Sequence, residues 1–312
     1  MTARFLPHIL TIVGFWLATA GAVSLGQTGL DLLAPVDVKL PGGNSVRVVK
    51  SYPEGRMRAS CQSFDDGTLG SDWPVLDALN KRGIPATFFI NSTHPQSKDA
   101  VKFPKRYAGH EIASHGANHK GLPGMTGEQV AEEIQTDQRI LGEAFGQPVI
   151  GFAYPYGSIY KEEDKQFALE TQLRGFRLIY ARGVRETKAY IPPPDFIRWN
   201  PDCGLMDRID KFLAQPAGDS VRVRMCFAHS IDFARGVMPF DTWLGMLDQL
   251  AAEPSIWNVT LRDYALYITA LRALKATDQG LQNNSDLAVW AKVDGRPREI
   301  APRTTLRWSE IR

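Results

Sequence analysis

The chain has 312 residues, 44% hydrophobic and 22% charged, and a formal net charge of +2 from 36 basic and 34 acidic side chains. This is the profile of an ordinary folded protein with one large core or a core plus an appendage, and it excludes a disordered, collagen-like or polytopic membrane chain. Basic and acidic residues are interspersed rather than blocked, so no nucleic-acid partner is expected.

The N-terminus reads MTARFLPHILTIVGFWLATAGAVS: one arginine, Arg4, an apolar run from Ile9 to Leu17, then small residues. That is the pattern of a secretory signal, with cleavage sites after Ala20 or Ala22, and the run is shorter than the roughly 20 apolar residues of a membrane span. Residues 1–22 are expected to be a signal peptide. The mature protein would then be secreted or periplasmic, with a membrane association only if the signal stays uncleaved.

Strand and helix signals alternate along the rest of the chain. RMRASCQSF reads as a strand, SDWPVLDALNKRG as a helix stopped by Gly83, and IPATFFIN as the next strand. GHEIASH is strand-like, and TGEQVAEEIQTDQRILGEAFG sets Val130, Ile134, Ile140 and Leu141 at near-helical spacing between Thr126 as N-cap and Gly146 as stop. A strand PVIGFAYP, a helical segment from Lys161 to Leu173, a strand GFRLIYA and a candidate helix from Leu205 to Ala214 follow. A strand SVRVRMCFAH, a helix FDTWLGMLDQLAAE and a last helix from Leu261 to Leu274 complete the alternation. Such a pattern predicts an α/β architecture with a mainly parallel sheet, closed or nearly closed into a barrel, with catalytic groups at the C-terminal strand ends.

The tail differs in kind. DLAVWAKV, the turn signal DGRP and REIAPRTTLRW form a hairpin-like pattern, so residues 280–312 are expected to be a small β appendage on the barrel, too short for a core of its own. Trp290 and Trp308 serve packing in this reading, with carbohydrate binding the alternative. Three cysteines, Cys61, Cys203 and Cys226, are no disulfide framework in a chain of this size. They read as buried or free thiols, or, for Cys61 and Cys226 in neighbouring strand-like runs, as one bridge formed in an oxidising compartment.

Two clusters carry chemistry. Asp65 and Asp66 in SFDDG fall where the first of these strands ends, and His115 and His119 in ASHGANHKGL just past another. Two histidines four apart can reach one ion, and a carboxylate from elsewhere completes a two-His-one-Asp set with positions left open for water. Each cluster alone is weak, since paired histidines are often core or surface residues and Asp-Asp-Gly is a common turn.

Together and in this order, SFDDG and HGANH resemble the first two motifs of the polysaccharide deacetylase family, the NodB-homology carbohydrate esterases. FAYPYG (152–157) and FAHSID (227–232) continue the resemblance in order. It implies a deformed (β/α) barrel of the NodB type over residues 45–275, with the small C-terminal β appendage beyond it. It also implies a divalent metal, zinc foremost, held by Asp66, His115 and His119. Asp65 would be the general base, His229 the general acid, and the Tyr156 backbone N–H a donor to the oxyanion. Tyr154, Pro155, Arg198 and Trp199 would line the substrate, an acetylated polysaccharide or oligosaccharide.

One departure stands out. The family's third motif is similar to F-R-x-P-Y-G, whose arginine pairs with the catalytic aspartate, but here that position is Ala153. Arg198, in DFIRWNPD, is the candidate for the missing cation, with a surface ion pair as the competing reading. The function expected is a secreted metal-dependent deacetylase acting on N-acetyl groups of a GlcNAc-type glycan. The alternatives are an O-acetyl (acetylxylan-type) esterase and a non-catalytic carbohydrate-binding relative. A hydrolase of small cyclic amides is disfavoured by the export signal.

Overall fold

The computed structural model describes residues 32–40, 43–216 and 218–311. The expected signal peptide lies outside the described residues. The described residues open with β1 (Val36–Lys39) and β2 (Ser45–Ser51), neither of which was expected from the sequence. The barrel then runs β3 (Arg58–Asp65), α1 (Leu69–Arg82), β4 (Thr87–Ile90), β5 (Glu111–Ser114), α2 (Gly127–Phe145), β6 (Gly151–Ala153), α3 (Glu163–Gly175) and β7 (Tyr180–Arg182). It continues through β8 (Cys203–Gly204), α4 (Ile209–Leu213), β9 (Arg222–His229), α5 (Ser230–Ala234), α6 (Phe240–Ala252), β10 (Ile256–Asn258) and α7 (Leu261–Ala273). The tail holds β11 (Lys275–Ala276), β12 (Gly280–Asn283), β13 (Val289–Val293), β14 (Arg296–Ile300) and β15 (Thr304–Arg307).

The eight barrel strands pair only in parallel, in the order β7-β6-β5-β4-β3-β9-β8, with β10 beside the first half of β3. They form a curled half-barrel with helices, as expected of a deformed (β/α) barrel. The segment Trp199–Gly204 joins its two edges: Trp199 N–H donates to Ala181 O on β7, while Asp202 N–H donates to Met225 O on β9.

Side chains alternate across the sheet. Ala59 and Cys61 of β3 enter the inner core with Ala113, Ala153, Tyr180, Trp199 and Tyr264, whereas Phe64 enters the outer layer with Val75, Leu79 and Trp243. The same alternation corrects the cysteine expectation. Cys61 faces the inner core and Cys226 the outer layer, so the two cannot bridge; Cys226 instead meets Cys203.

Local signals explain the helix ends. Thr126 Oγ1 accepts from Gln129 N–H and the Gln129 side chain accepts from Thr126 N–H, and Gly146 at φ 64° stops α2. The helix expected from Leu205 to Ala214 is shorter than its pattern, because the buried Arg224 guanidinium takes the carbonyls of Leu205 and Asp207.

Close approach is required at Gly151, where an added Cβ would stand 2.1 Å from Tyr180 Oη, itself bonded to Glu111. Gly151→Ala should therefore lower stability by roughly 1–3 kcal/mol, read as a fall in thermal midpoint.

The tail hairpin turns on Asp294 and Gly295, both with positive φ, as a two-residue Asp-Gly turn requires. Its strand β13 pairs antiparallel with β2, so β1, β2, β13 and β14 make one sheet from both ends of the chain. β11, β12 and β15 form a second. Trp308 is buried and its Nε1–H donates to Thr277 O, a packing role. No helix among the described residues is long and apolar enough to cross a membrane.

Candidate active site

Asp65, His229, His115 and Arg182 all stand at or just past the C-terminal ends of parallel strands, with Asp65 and His229 side by side in register. Neighbouring residues of a strand point to opposite faces, so two adjacent acids should diverge. They converge because Asp66 lies past the strand at φ 74°. Its Oδ1 is 3.6 Å from His115 Nε2 and 3.5 Å from His119 Nε2, while Asp65 Oδ2 is 3.8 Å from His115 Nε2. Gly67 continues the turn at φ 63°, with an added Cβ only 2.9 Å from Ile90. His119 (φ 56°) and Tyr156 (φ 59°) share the left-handed conformation, unusual for a tyrosine.

The cluster fits a metal ion. Ligand atoms of Asp66, His115 and His119 lie within 4.8 Å of one another, and Asp66 Oδ1 is buried without a hydrogen-bond partner. A buried, unpartnered carboxylate oxygen between two imidazoles is costly unless a cation completes it. His115 Nδ1–H donates to Ala153 O at 2.8 Å, which turns Nε2 toward the cluster. Burial is the largest influence on both rings, pulling His119 down and His115 to about 4, so they are neutral, as metal ligands must be.

The cation missing at Ala153 comes from Arg182, not Arg198. Tyr180 of β7 faces the inner core, and Arg182, two residues on, faces the same way into the barrel mouth. Its Nη2 bonds both Asp65 oxygens at 2.5 Å, and its guanidinium lies between the rings of Phe89 and Phe227. Burial would raise the Asp65 carboxyl, but the charge and hydrogen bonds of Arg182 outweigh it and hold the group below its usual range. Arg198 is captured elsewhere: Glu170 takes its Nε and Glu163 its Nη2 at 2.9 Å, both from α3.

The expected substrate residues separate. Trp199 is 1% exposed and stacks on Tyr264 inside the barrel, so it cannot meet a ligand. Tyr154 is buried with its hydroxyl donating to Ile197 O, and Pro155 is buried beside the Gly116 turn. Tyr156 is 72% exposed with its ring 4.5 Å from that of His119. In its turn Gly157 N–H donates to Tyr154 O and Ser158 N–H to Pro155 O; among the described residues no backbone acceptor takes the Tyr156 N–H. His229 Nε2 faces Asp66 Oδ2 at 3.9 Å, and its Nδ1 lies 3.4 Å from Asp232.

Several supporting residues escaped the sequence reading. Asp137 of α2 accepts from Ser92 N–H, Ser114 Oγ–H and His115 N–H, and Glu133 holds Asn118 through two bonds at 2.9 Å. Asn91 donates to the carbonyls of His115 and Gly116. Beneath His229, buried Asp72 accepts from Ser230 and Tyr107. One signal was available: Asp137 stands on the same helical stripe as Val130, Ile134 and Leu141, where a charge is out of place unless it holds something.

Residues 54–175 match the family model described as polysaccharide deacetylase. Over that stretch, which runs from just ahead of β3 to the end of α3, the chain is similar to the polysaccharide deacetylase family. It is 30% identical over 137 residues to the peptidoglycan-N-acetylglucosamine deacetylase PgdA of Listeria monocytogenes, covering 43% of this chain and 28% of that protein. It is 26% identical over 111 residues to chitin deacetylase 1 of Cryptococcus neoformans, covering 36% of this chain and 23% of that one. The chain thus spans about a quarter of the length of these curated relatives. A crystal structure of a candidate polysaccharide deacetylase from Mycobacterium smegmatis shares the fold, with a TM-score of 0.56 at 14% identity over 71% of this chain and 93% of that one.

Proposed function

We propose that the chain is a secreted, metal-dependent deacetylase that hydrolyses N-acetyl groups of a GlcNAc-type glycan. The observation that carries this reading is the unpartnered Asp66 Oδ1 between two neutral imidazoles, flanked by the ion-paired Asp65 and by His229. The names of the relatives, deacetylases of chitin and of peptidoglycan N-acetylglucosamine, support the substrate class. Zinc is the ion proposed, since two imidazoles and one carboxylate leave it an open position.

Bound by Asp66, His115 and His119, the ion would act as a Lewis acid that lowers the pKa of water and polarises an amide carbonyl. Asp65, kept ionised by Arg182, accepts the proton from the attacking water. The Tyr156 N–H donates to the developing oxyanion. His229 returns a proton from Nε2 to the leaving nitrogen, with Asp232 beside Nδ1 to steady the ring.

Purified protein loaded with zinc should release acetate from a panel of acetylated glycans, with chitooligosaccharides and peptidoglycan fragments ahead of acetylxylan. Acetate from xylan alone would move the reading to an esterase. No acetate from any glycan at full metal content would sink it. His115→Ala and His119→Ala should each lose metal as well as activity, beyond the roughly 10–100-fold that outer-shell changes cost in affinity. Elemental analysis finding full metal in both variants would overturn the ligand assignment.

A further inference from the structure

Far from any catalytic role, two thiols meet in the outer layer of the barrel. Cys203 begins β8, a two-residue strand at the edge of the sheet, and pairs in register with Cys226 of β9. Both side chains are fully buried, and their sulfurs are 3.2 Å apart. Neighbouring strands run about 4.8 Å apart, which sits inside the 4.4–6.8 Å Cα separation of natural disulfides. Closing to a bond of about 2.05 Å asks the sulfurs to move by roughly 1 Å, within reach of a short edge strand. Three residues beyond Cys226 stands His229.

We propose that Cys203 and Cys226 form a disulfide that fastens the edge strand β8 to the strand carrying His229. The oxidant is a disulfide of the glutathione or oxidoreductase class. The Cys203 thiolate attacks it and expels one thiol, and the Cys226 sulfur then displaces the second from the mixed disulfide. One S–S bond forms in the protein, one breaks in the oxidant, and two electrons and two protons pass to the pair of thiols released. Because both sulfurs are buried, the exchange belongs to folding, before β8 docks.

The full chain, refolded in a mixture of oxidised and reduced glutathione, is denatured with an alkylating reagent present and mapped by mass spectrometry. Of the three cysteines, only Cys61 should be alkylated, and one peptide pair should join Cys203 to Cys226. Reduction before heating should lower the thermal midpoint by roughly 5–10 °C. Cys203→Ser removes a sulfur from the edge strand rather than from β9, and should abolish that difference while leaving two alkylated cysteines. Three alkylated cysteines, a link through Cys61, or a midpoint difference that survives in Cys203→Ser would overturn the proposal.

Discussion

Asp65→Asn should retain metal and lose turnover by roughly 10²- to 10⁴-fold, the range that a general base contributes. Asparagine keeps the size of the side chain and leaves an oxygen toward Arg182, but it cannot take a proton at neutral pH. Asp66→Asn, by contrast, should lose metal and turnover together, because Asp66 Oδ1 is the carboxylate atom nearest both imidazoles. Elemental analysis beside steady-state kinetics separates the two. Equal metal content in both variants would show that the roles of the neighbouring acids are assigned wrongly.

The second large effect concerns pH. Arg182→Met removes the charge that bonds both Asp65 oxygens while keeping much of the stem between Phe89 and Phe227. Burial, the strongest influence on Asp65, then acts with less opposition and its carboxyl rises. A base whose pKa has risen is protonated at higher pH, so the acidic limb of the rate profile should move upward by roughly 1–3 units. Breaking a buried ion pair from one side costs about 3–5 kcal/mol, so circular dichroism must first show the variant folded. Arg198→Ala, which frees only Glu163 and Glu170, should leave the limb in place. A limb that moves for Arg198 and stands still for Arg182 would reverse the assignment of the cation.

These two experiments also mark where the sequence was legible. SFDDG and HGANH each sat at a strand end, and parallel-strand logic alone brings such ends to one mouth. Ala153 showed that an arginine was missing but not where its replacement stood. Arg198 was the nearer candidate by motif order, yet motif order says nothing of which strand end faces Asp65. The signal for Arg182 was its place two residues beyond the core residue Tyr180, a charge at the end of a buried strand. Trp199 misled for the reverse reason: aromatic residues beside a motif suggest sugar contact, but this one fills the barrel interior. The cysteine pairing depended on β8, two residues long, which no periodicity can reveal. The Asp-Gly hairpin was readable because its turn chemistry is local, whereas its partner β2 lies at the far end of the chain.

That last pairing governs the order in which the molecule can be finished. β2 precedes and β13 follows every barrel element along the chain. Contacts between residues so distant along the chain form slowly, since the intervening polypeptide must first be drawn together. β2, the strand before the one that ends at Asp65, therefore stays unpaired on its β13 side until the tail is in place. A chain ending before Val289 would leave that edge open and free to recruit a strand from another molecule.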